Sequence, residues 1–380
     1  MNILYFYWNE NTAYDCINCM KELGHRVDVF DVKFKNYTQD ENFYDSLMTV
    51  IKNYDCVFSF NYFPIISDVA LDAGVKYISW VYDSPNLTLE ANNLANSCNH
   101  VFLFDYALCM KYRNLGIDTV DYMPLAYNKS RINKLTEGLT KDCIHDISFI
   151  GSLYDGEDNF FTSVKYLPDF LSGYIDALIA TQRNVYGFDL IGKAFDDEKC
   201  MELSKYVSAK LGSSYRDCEF DIYKDMIRKK LTGIERKEIV KKLAKEFPVA
   251  LYSGKKPDDV PALFCGYAEN RIQMPTVFCQ SKINLNITLR SIQSGIPLRV
   301  VEILGAGGFC LTNYQSEMPE YFENGKHLVW YENEDDIIDK CRYYLDSKHE
   351  TERKEIAKSG SELAAELFDY KVLLPKVLQL

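Results

Sequence analysis

The sequence predicts an α/β protein made of two doubly wound, parallel-sheet halves. Three observations carry this. Short apolar runs alternate with stretches of helical spacing in both halves, the pattern of β-α-β units. A polar stretch over residues 124–145 has neither pattern and separates the halves. The 380 residues are enough for two domains at roughly 150 residues each.

In the first half, residues 2–8 form an apolar run, read as a strand buried on both faces. Helical spacing follows from Ala13 to Leu23, ended by Gly24. Strands are expected at 27–30, 55–60, 76–81, 100–104 and 119–123, with helices at 44–52, 65–73 and 107–115. In such sheets a ligand crevice lies at the carboxyl ends of the strands. That puts Asn9–Thr12, Asn61–Phe63 and Asp83–Pro85 on the rim. The second half opens with a strand at 147–150 running into Gly151 and Ser152, within an acidic loop that extends to Asp158. Residues 160–245 read as a mostly helical insertion. Strands return at 249–252 (then Ser253-Gly254), 283–287, 309–312 and 328–331, with a helix at 298–304. The tail reads as helices at 335–345, 352–366 and 370–380. The expected domains are 1–130 and 140–355, with helices of 356–380 packing back on the first.

Composition excludes several classes. The net charge of −12 argues against a nucleic-acid binder, which needs a basic footprint. Nothing at the start reads as a targeting signal, and no run of 18 apolar residues exists to span a membrane. The 12 Cys are scattered, often inside apolar runs, which suits a reducing cytoplasm. Cys16-Ile17-Asn18-Cys19 is a lone CxxC without a second ligand pair, and five dispersed His have no ligand spacing, so no metal site is expected. The 14% of aromatic residues fits stacking surfaces for sugars or bases, or compositional drift.

The segment 281–302 is the most informative. Lys282, Asn284 and the strand around them lead into a loop rich in donors, with Thr288, Arg290, Ser291 and Ser294. Gly295 permits close backbone approach, and Ile296-Pro297 precedes a helix starting at Leu298. A helix start with free N–H groups suits a phosphate. Arg299 opposes the macrodipole there unless an anion joins it, and Glu302 is placed to accept two hydroxyls, as a ribose diol presents. An ordinary strand-loop-helix with a solvated Arg–Glu pair fits the spacing as well.

The string from Ser281 to Gly325, SKINLNITLRSIQSGIPLRVVEILGAGGFCLTNYQSEMPEYFENG, resembles the C-terminal domain of CgeB-like glycosyltransferases. The N-terminal part of that family is a DUF3880-type domain, and the family looks like a distant relative of GT4-like enzymes of the GT-B fold. The resemblance implies two Rossmann-like domains facing an interdomain cleft and a nucleotide diphosphate sugar as donor, a UDP-sugar first, with no other cofactor. It matches Glu302 to the ribose-binding acid of a Glu-x7-Glu pattern. The first acid, which contacts the donor sugar, is Ser294 here, a departure. The resemblance places Gly295, Ile296, Pro297, Leu298 and Arg299 near the diphosphate, with Lys282, Arg290 or Arg271 as further cations. It places Gly151-Ser152 by the diphosphate, and Ser253-Gly254 and Tyr267 by the base, with a plain core role for Tyr267 as the other reading.

Transfer from such a donor builds negative charge on the leaving diphosphate. Helix N–H groups and Arg299 would stabilise it. No Asp-x-Asp pair occurs, which favours a metal-independent reaction, and the resemblance implies retention. On the acceptor side, Asp83 is the candidate to orient or deprotonate a carbohydrate, protein or small-molecule hydroxyl, against the reading of a turn Asp before Pro85. A sugar-nucleotide epimerase and a non-catalytic protein of a spore or surface assembly are the competing classes.

Overall fold

The computed structural model describes residues 1–139, 143–154, 164, 166–207 and 219–379. These form two compact units. One is Met1–Asn128 with the chain end from Leu367; the other runs from Lys129 to Glu366.

The first unit holds six parallel strands: β1 (Asn2–Phe6), β2 (Arg26–Phe30), β3 (Cys56–Phe60), β4 (Lys76–Val81), β5 (Asn99–Leu103) and β6 (Val120–Tyr122). Their order is β2-β1-β3-β4-β5-β6. Helices α1 (Ala13–Glu22), α2 (Glu41–Ile51), α3 (Pro64–Ala73) and α4 (Tyr106–Asn114) connect them. Alternate strand residues divide between two cores. Leu4, Phe6, Val57 and Val101 join the core that takes in residues of α2, α3 and α4. Ile3, Tyr5, Phe58 and Trp80 join the core that takes in residues of α1. Both sheet faces are therefore covered, which is why the strands read as unbroken apolar runs.

The aromatic excess is core packing in this unit. Phe6, Phe34, Phe43 and Phe63 meet one another with ring centroids 5.0–5.8 Å apart. On the other face Tyr5, Phe58, Phe60 and Trp80 form a second chain of contacts.

The second unit holds β7 (His145–Ile150), β8 (Val249–Tyr252), β9 (Leu263–Gly266), β10 (Ser281–Asn286), β11 (Cys310–Asn313) and β12 (Val329–Tyr331), again all parallel. The order is β12-β11-β10-β7-β8-β9, so connection direction reverses between β7 and β10. Its helices are α5 (Lys129–Thr136), α6 (Asp169–Gln182), α7 (Leu190–Ala194), α8 (Asp197–Ser204), α9 (Glu219–Glu246), α10 (Gln273–Cys279), α11 (Leu298–Gly305), α12 (Met318–Tyr321), α13 (Glu334–Leu345) and α14 (Glu350–Leu367). The last helix, α15 (Tyr370–Leu378), belongs to the first unit, where Tyr370, Leu373, Leu374 and Val377 are buried against the α1 face of the sheet.

The expected helical insertion contains α6 to α9, although residues 160–163, 165 and 208–218 lie outside the described residues. Helix α9 serves two cores. Ile227 and Leu231 pack with α6 to α8, and Ile239, Val240 and Leu243 pack on the sheet. Three expectations need correction. The stretch 124–145 is not an unstructured linker: it contains α5, whose Ile132 is buried and whose Arg131 donates to the carbonyl of Arg271. Strand β9 and helix α10 were not expected, because Leu263–Gly266 is a short edge strand with a register shift and Pro275 interrupts the helical pattern. The tail from residue 356 does not join the first unit as a whole: α14 stays in the second unit almost to its end, and α15 alone joins the first.

Candidate functional site

The switch of direction falls between β7 and β10, and in sheets of this kind ligands bind outside the carboxyl ends of the strands at that point. β7 exits through Gly151 and Ser152. A Cβ on Gly151 would meet the Phe149 ring at 3.2 Å and Arg236 Nη1 at 3.5 Å, so a glycine leaves room for that arginine. The acidic continuation, Asp155 to Asp158, lies outside the described residues.

Arg236, on α9, spans the two strand exits. Its Nη1 donates to the Ser152 carbonyl at 2.8 Å, and Nε and Nη2 donate to the Ile287 carbonyl at 3.0 and 2.6 Å. The guanidinium lies 5.0 Å from the Tyr154 ring centroid. Helix α9 comes this close because residue 233 is glycine: a Cβ there would sit 2.9 Å from the Leu153 carbonyl oxygen. Burial pushes the Arg236 guanidinium below its ordinary range; Tyr154 and Glu235 oppose this, and the Arg299 guanidinium pushes the same way as burial. Among the described residues no carboxylate forms an ion pair with Arg236. Two cations thus share one neighbourhood, an arrangement that an anion would relieve.

The loop after β10 is held from two sides. From α9, Thr232 Oγ1 accepts from the Arg290 N–H at 2.9 Å, and Glu235 takes the Arg290 guanidinium at 2.8 and 2.7 Å. From the end of β11 and the segment after it, Asn313 Oδ1 accepts from the Thr288 N–H at 2.8 Å. Gln315 Nε2 donates to the carbonyls of Ile292 and Gly295, both at 3.2 Å. Ser294 Oγ donates to Glu317 Oε1 at 2.6 Å, and the Glu317 N–H returns to the Ser294 carbonyl at 3.3 Å. The loop then enters α11 behind Pro297, with no side-chain cap and no acid in the first turn. That start keeps its positive dipole end uncompensated by its own residues.

On α11, Arg299 Nη1 donates to Glu302 Oε2 at 2.8 Å and reaches Met274 Sδ at 2.7 Å, and its guanidinium lies 5.4 Å from the Phe278 ring. Arg299 and Glu302 are each partly exposed, at 23% and 22% of their side chains. The pair stays within reach of solvent. Ser294, Gly295, Ile296 and Pro297 are buried, Leu298 half-buried, and Gly295 adopts no left-handed φ. At the exits of β8 and β9, the Ser253 N–H donates to the Gly266 carbonyl at 2.9 Å, and Gly254 is open. Tyr267 is 65% exposed, which excludes the core role.

Three expected residues fall elsewhere. Lys282 sits at the amino end of β10, opposite the carboxyl end, and pairs with Asp146 at 2.7 Å. Asn284 is interior: it accepts from Ser148 at 3.0 Å and donates to the carbonyls of Phe278 and Phe309 at 2.9 and 3.3 Å. Arg290 is spent on Glu235, on the Val185 carbonyl at 3.0 Å and on the Tyr186 ring, 4.1 Å from its centroid. Its side chain is only 10% exposed, so its charge is compensated inside the fold.

In the first unit, Asp83 is exposed at the exit of β4. Asn61 Nδ2 donates to Asp83 Oδ2 at 2.6 Å, and Asn61 Oδ1 accepts from the N–H groups of Tyr82 and Asp83 at 3.0 and 3.1 Å. Asn61 does this from a left-handed φ of 63° at the exit of β3. Strain of that kind in a non-glycine residue collects at functional positions. The two cysteines of the CxxC, Cys16 and Cys19, are buried in α1, and burial pushes the Cys19 thiol up to about 12, which disfavours the reactive thiolate.

Sequence reading missed Arg236, because it lies in a helix dense with Lys and Arg and no spacing sets it apart. The alternating polar run Asn313, Gln315, Glu317 from the last residue of β11 onward was the signal available for the second clamp.

Comparison with known proteins agrees with this architecture. A family model described as glycosyl transferase-like matches residues 234–378. No protein of curated function matches by sequence. Among solved structures, Anabaena HepE in complex with UDP and glucose is similar over 100% of this chain and 98% of its own, with a TM-score of 0.53 and 10% identity. Sucrose-phosphate synthase from Thermosynechococcus elongatus is similar over 100% and 98%, with a TM-score of 0.51 and 9% identity. AviGT4, a glycosyltransferase of avilamycin A biosynthesis, is similar over 100% and 96%, with a TM-score of 0.52 and 10% identity. The fold is thus the two Rossmann-like domains of GT-B glycosyltransferases.

Proposed function

We propose that the protein is a glycosyltransferase that moves a sugar from a nucleotide diphosphate sugar, a UDP-sugar first, to an acceptor hydroxyl. The observation that carries the reading is the cluster of groups at the carboxyl ends of β7 and β10. There Arg236, Arg299 and the uncapped start of α11 collect positive charge in a chain of net charge −12. The family match over 234–378 includes all three. HepE is also known with UDP alone and with UDP-glucose, which supports the choice of donor.

In this reading the leaving diphosphate lies across Arg236 and the start of α11. As the glycosidic bond breaks, charge grows on the diphosphate, and these groups, already oriented by the fold, meet it without reorganisation. Arg299 turns from Glu302 to the phosphate, and Glu302 is released to accept the ribose hydroxyls. The open Tyr267 ring and the Ser253-Gly254 turn take the base. Asp83, held by Asn61, orients the acceptor hydroxyl. The reaction is read as metal-independent and retaining, in a CgeB-like enzyme.

Calorimetric titration of UDP tests the donor assignment. The wild-type protein should bind, and Arg236→Ala and Arg299→Ala should each weaken binding at least tenfold, about 1.4 kcal/mol. Unchanged affinity in both variants sinks the assignment.

A further inference from the structure

We propose that the segment Asn313–Glu317 is a strap that sets the nucleotide-binding loop, with Glu317 as a positioning residue for the Ser294–Gly295 turn. The inference rests on the donor reading above and concerns residues that reading does not use.

Asn313, the last residue of β11, Gln315 in the turn after it and Glu317, the N-cap residue of α12, meet the loop in turn. Asn313 receives the Thr288 N–H at 2.8 Å. Gln315 reaches the carbonyls of Ile292 and Gly295, both at 3.2 Å. Glu317 closes a two-bond ring with Ser294, side chain to side chain at 2.6 Å and backbone to backbone at 3.3 Å. All five residues at the two ends of this clamp, Thr288, Ser294, Asn313, Gln315 and Glu317, are buried, each no more than 7% exposed.

A loop of eleven residues, 287–297, between a strand and a helix has many conformations to lose. The bonds to Gln315 and Glu317 fall on the last turn before Pro297, so they set the direction in which α11 begins. A hydrogen bond from a hydroxyl to a buried carboxylate is of the stronger, charge-assisted kind. Ser294 is the partner whose short side chain lets that carboxylate come from the start of α12. The start of α11 is then aimed before any phosphate arrives, and the ordering cost is not charged to binding.

The test uses the full chain and UDP as probe. Glu317→Met keeps the length of the side chain and removes its acceptor oxygens; Ser294→Ala removes the same bond from the loop side. Each should weaken UDP binding about five- to tenfold by calorimetry, with the thermal midpoint within a few degrees of wild type. The double variant should lose no more than either single one, and Ser294→Thr should restore most of the affinity. A purely structural role moves the midpoint and leaves no such non-additivity. If wild type binds UDP and both single variants bind it equally well, the strap is overturned and the donor reading stands. Additive losses in the double variant also overturn it. If wild type does not bind UDP, the donor reading fails, and this inference with it.

Discussion

Arg236 and Arg290 flank the same loop, and their surroundings give them opposite roles. Arg290 meets Glu235 through two bonds and is almost fully buried, so its charge is settled within the fold. Among the described residues Arg236 forms no ion pair; it is tied to carbonyls and to the Tyr154 side chain, and feels Arg299 beside it. Removing one partner of a buried ion pair leaves the other uncompensated. Arg290→Ala should therefore lower the unfolding free energy by about 3–5 kcal/mol in urea denaturation. Lys282→Ala breaks an ion pair in which both side chains are about one-third exposed. It should cost under about 1 kcal/mol and leave UDP affinity unchanged; a tenfold loss of affinity would return Lys282 to the site. The sequence shows Lys282, Arg290 and Arg299 as equivalent cations in one motif. Which of them meets a ligand depends on what stands opposite, and Glu235 and Asp146 are 55 and 136 residues away from the cations they hold.

At the scale of elements, α9 decides the site. Its Thr232, Glu235 and Arg236 form one helical face against the β10 loop, and Gly233 lets that face approach. Alanine in place of glycine inside a helix ordinarily gains up to about 1 kcal/mol. Here the new Cβ would stand 2.9 Å from the Leu153 carbonyl oxygen. Gly233→Ala should instead destabilise by about 1–3 kcal/mol, read by urea denaturation. A net gain in stability would mean that the loop after β7 yields easily and that the close approach is not a constraint. Strands and helices with strong periodicity were legible from the sequence, including β4 over 76–81 and α11 from Leu298. Elements held by tertiary contact were not. Helix α5 depends on one buried Ile132, and β9 is an edge strand whose own residues are mostly half-exposed.

At the scale of the whole molecule, α15 ends the chain as part of the first unit, and Tyr127 pairs with Asp369 where the chain returns to it. Tyr370, Leu373, Leu374 and Val377 are buried there. Burial of an apolar side chain contributes about 1.5–3 kcal/mol. A chain stopped after Glu366 should lose several kcal/mol from the first unit. Urea unfolding followed by tryptophan fluorescence reads this directly, because Trp8 and Trp80 belong to that unit and Trp80 packs 6.0 Å from Tyr370. An unchanged midpoint would show that α15 rests on the sheet without stabilising it. The aromatic excess has its physical account at this scale too, as the packing of two sheet faces by Phe, Tyr and Trp.

The sequence by itself determined the fold class, the helix start behind Pro297 and the Arg299–Glu302 spacing, because these depend on period and on local backbone chemistry. It also determined the rim on which Asp83 stands, since strand ends are marked by where apolar runs stop. Tertiary structure alone decided that Arg236 rather than Lys282 or Arg290 joins Arg299, and that Glu317 reaches Ser294 from the start of α12. The reason is physical. A charge acts through its distance to other charges and through its desolvation, and both are set by residues that meet only when the sheet is assembled.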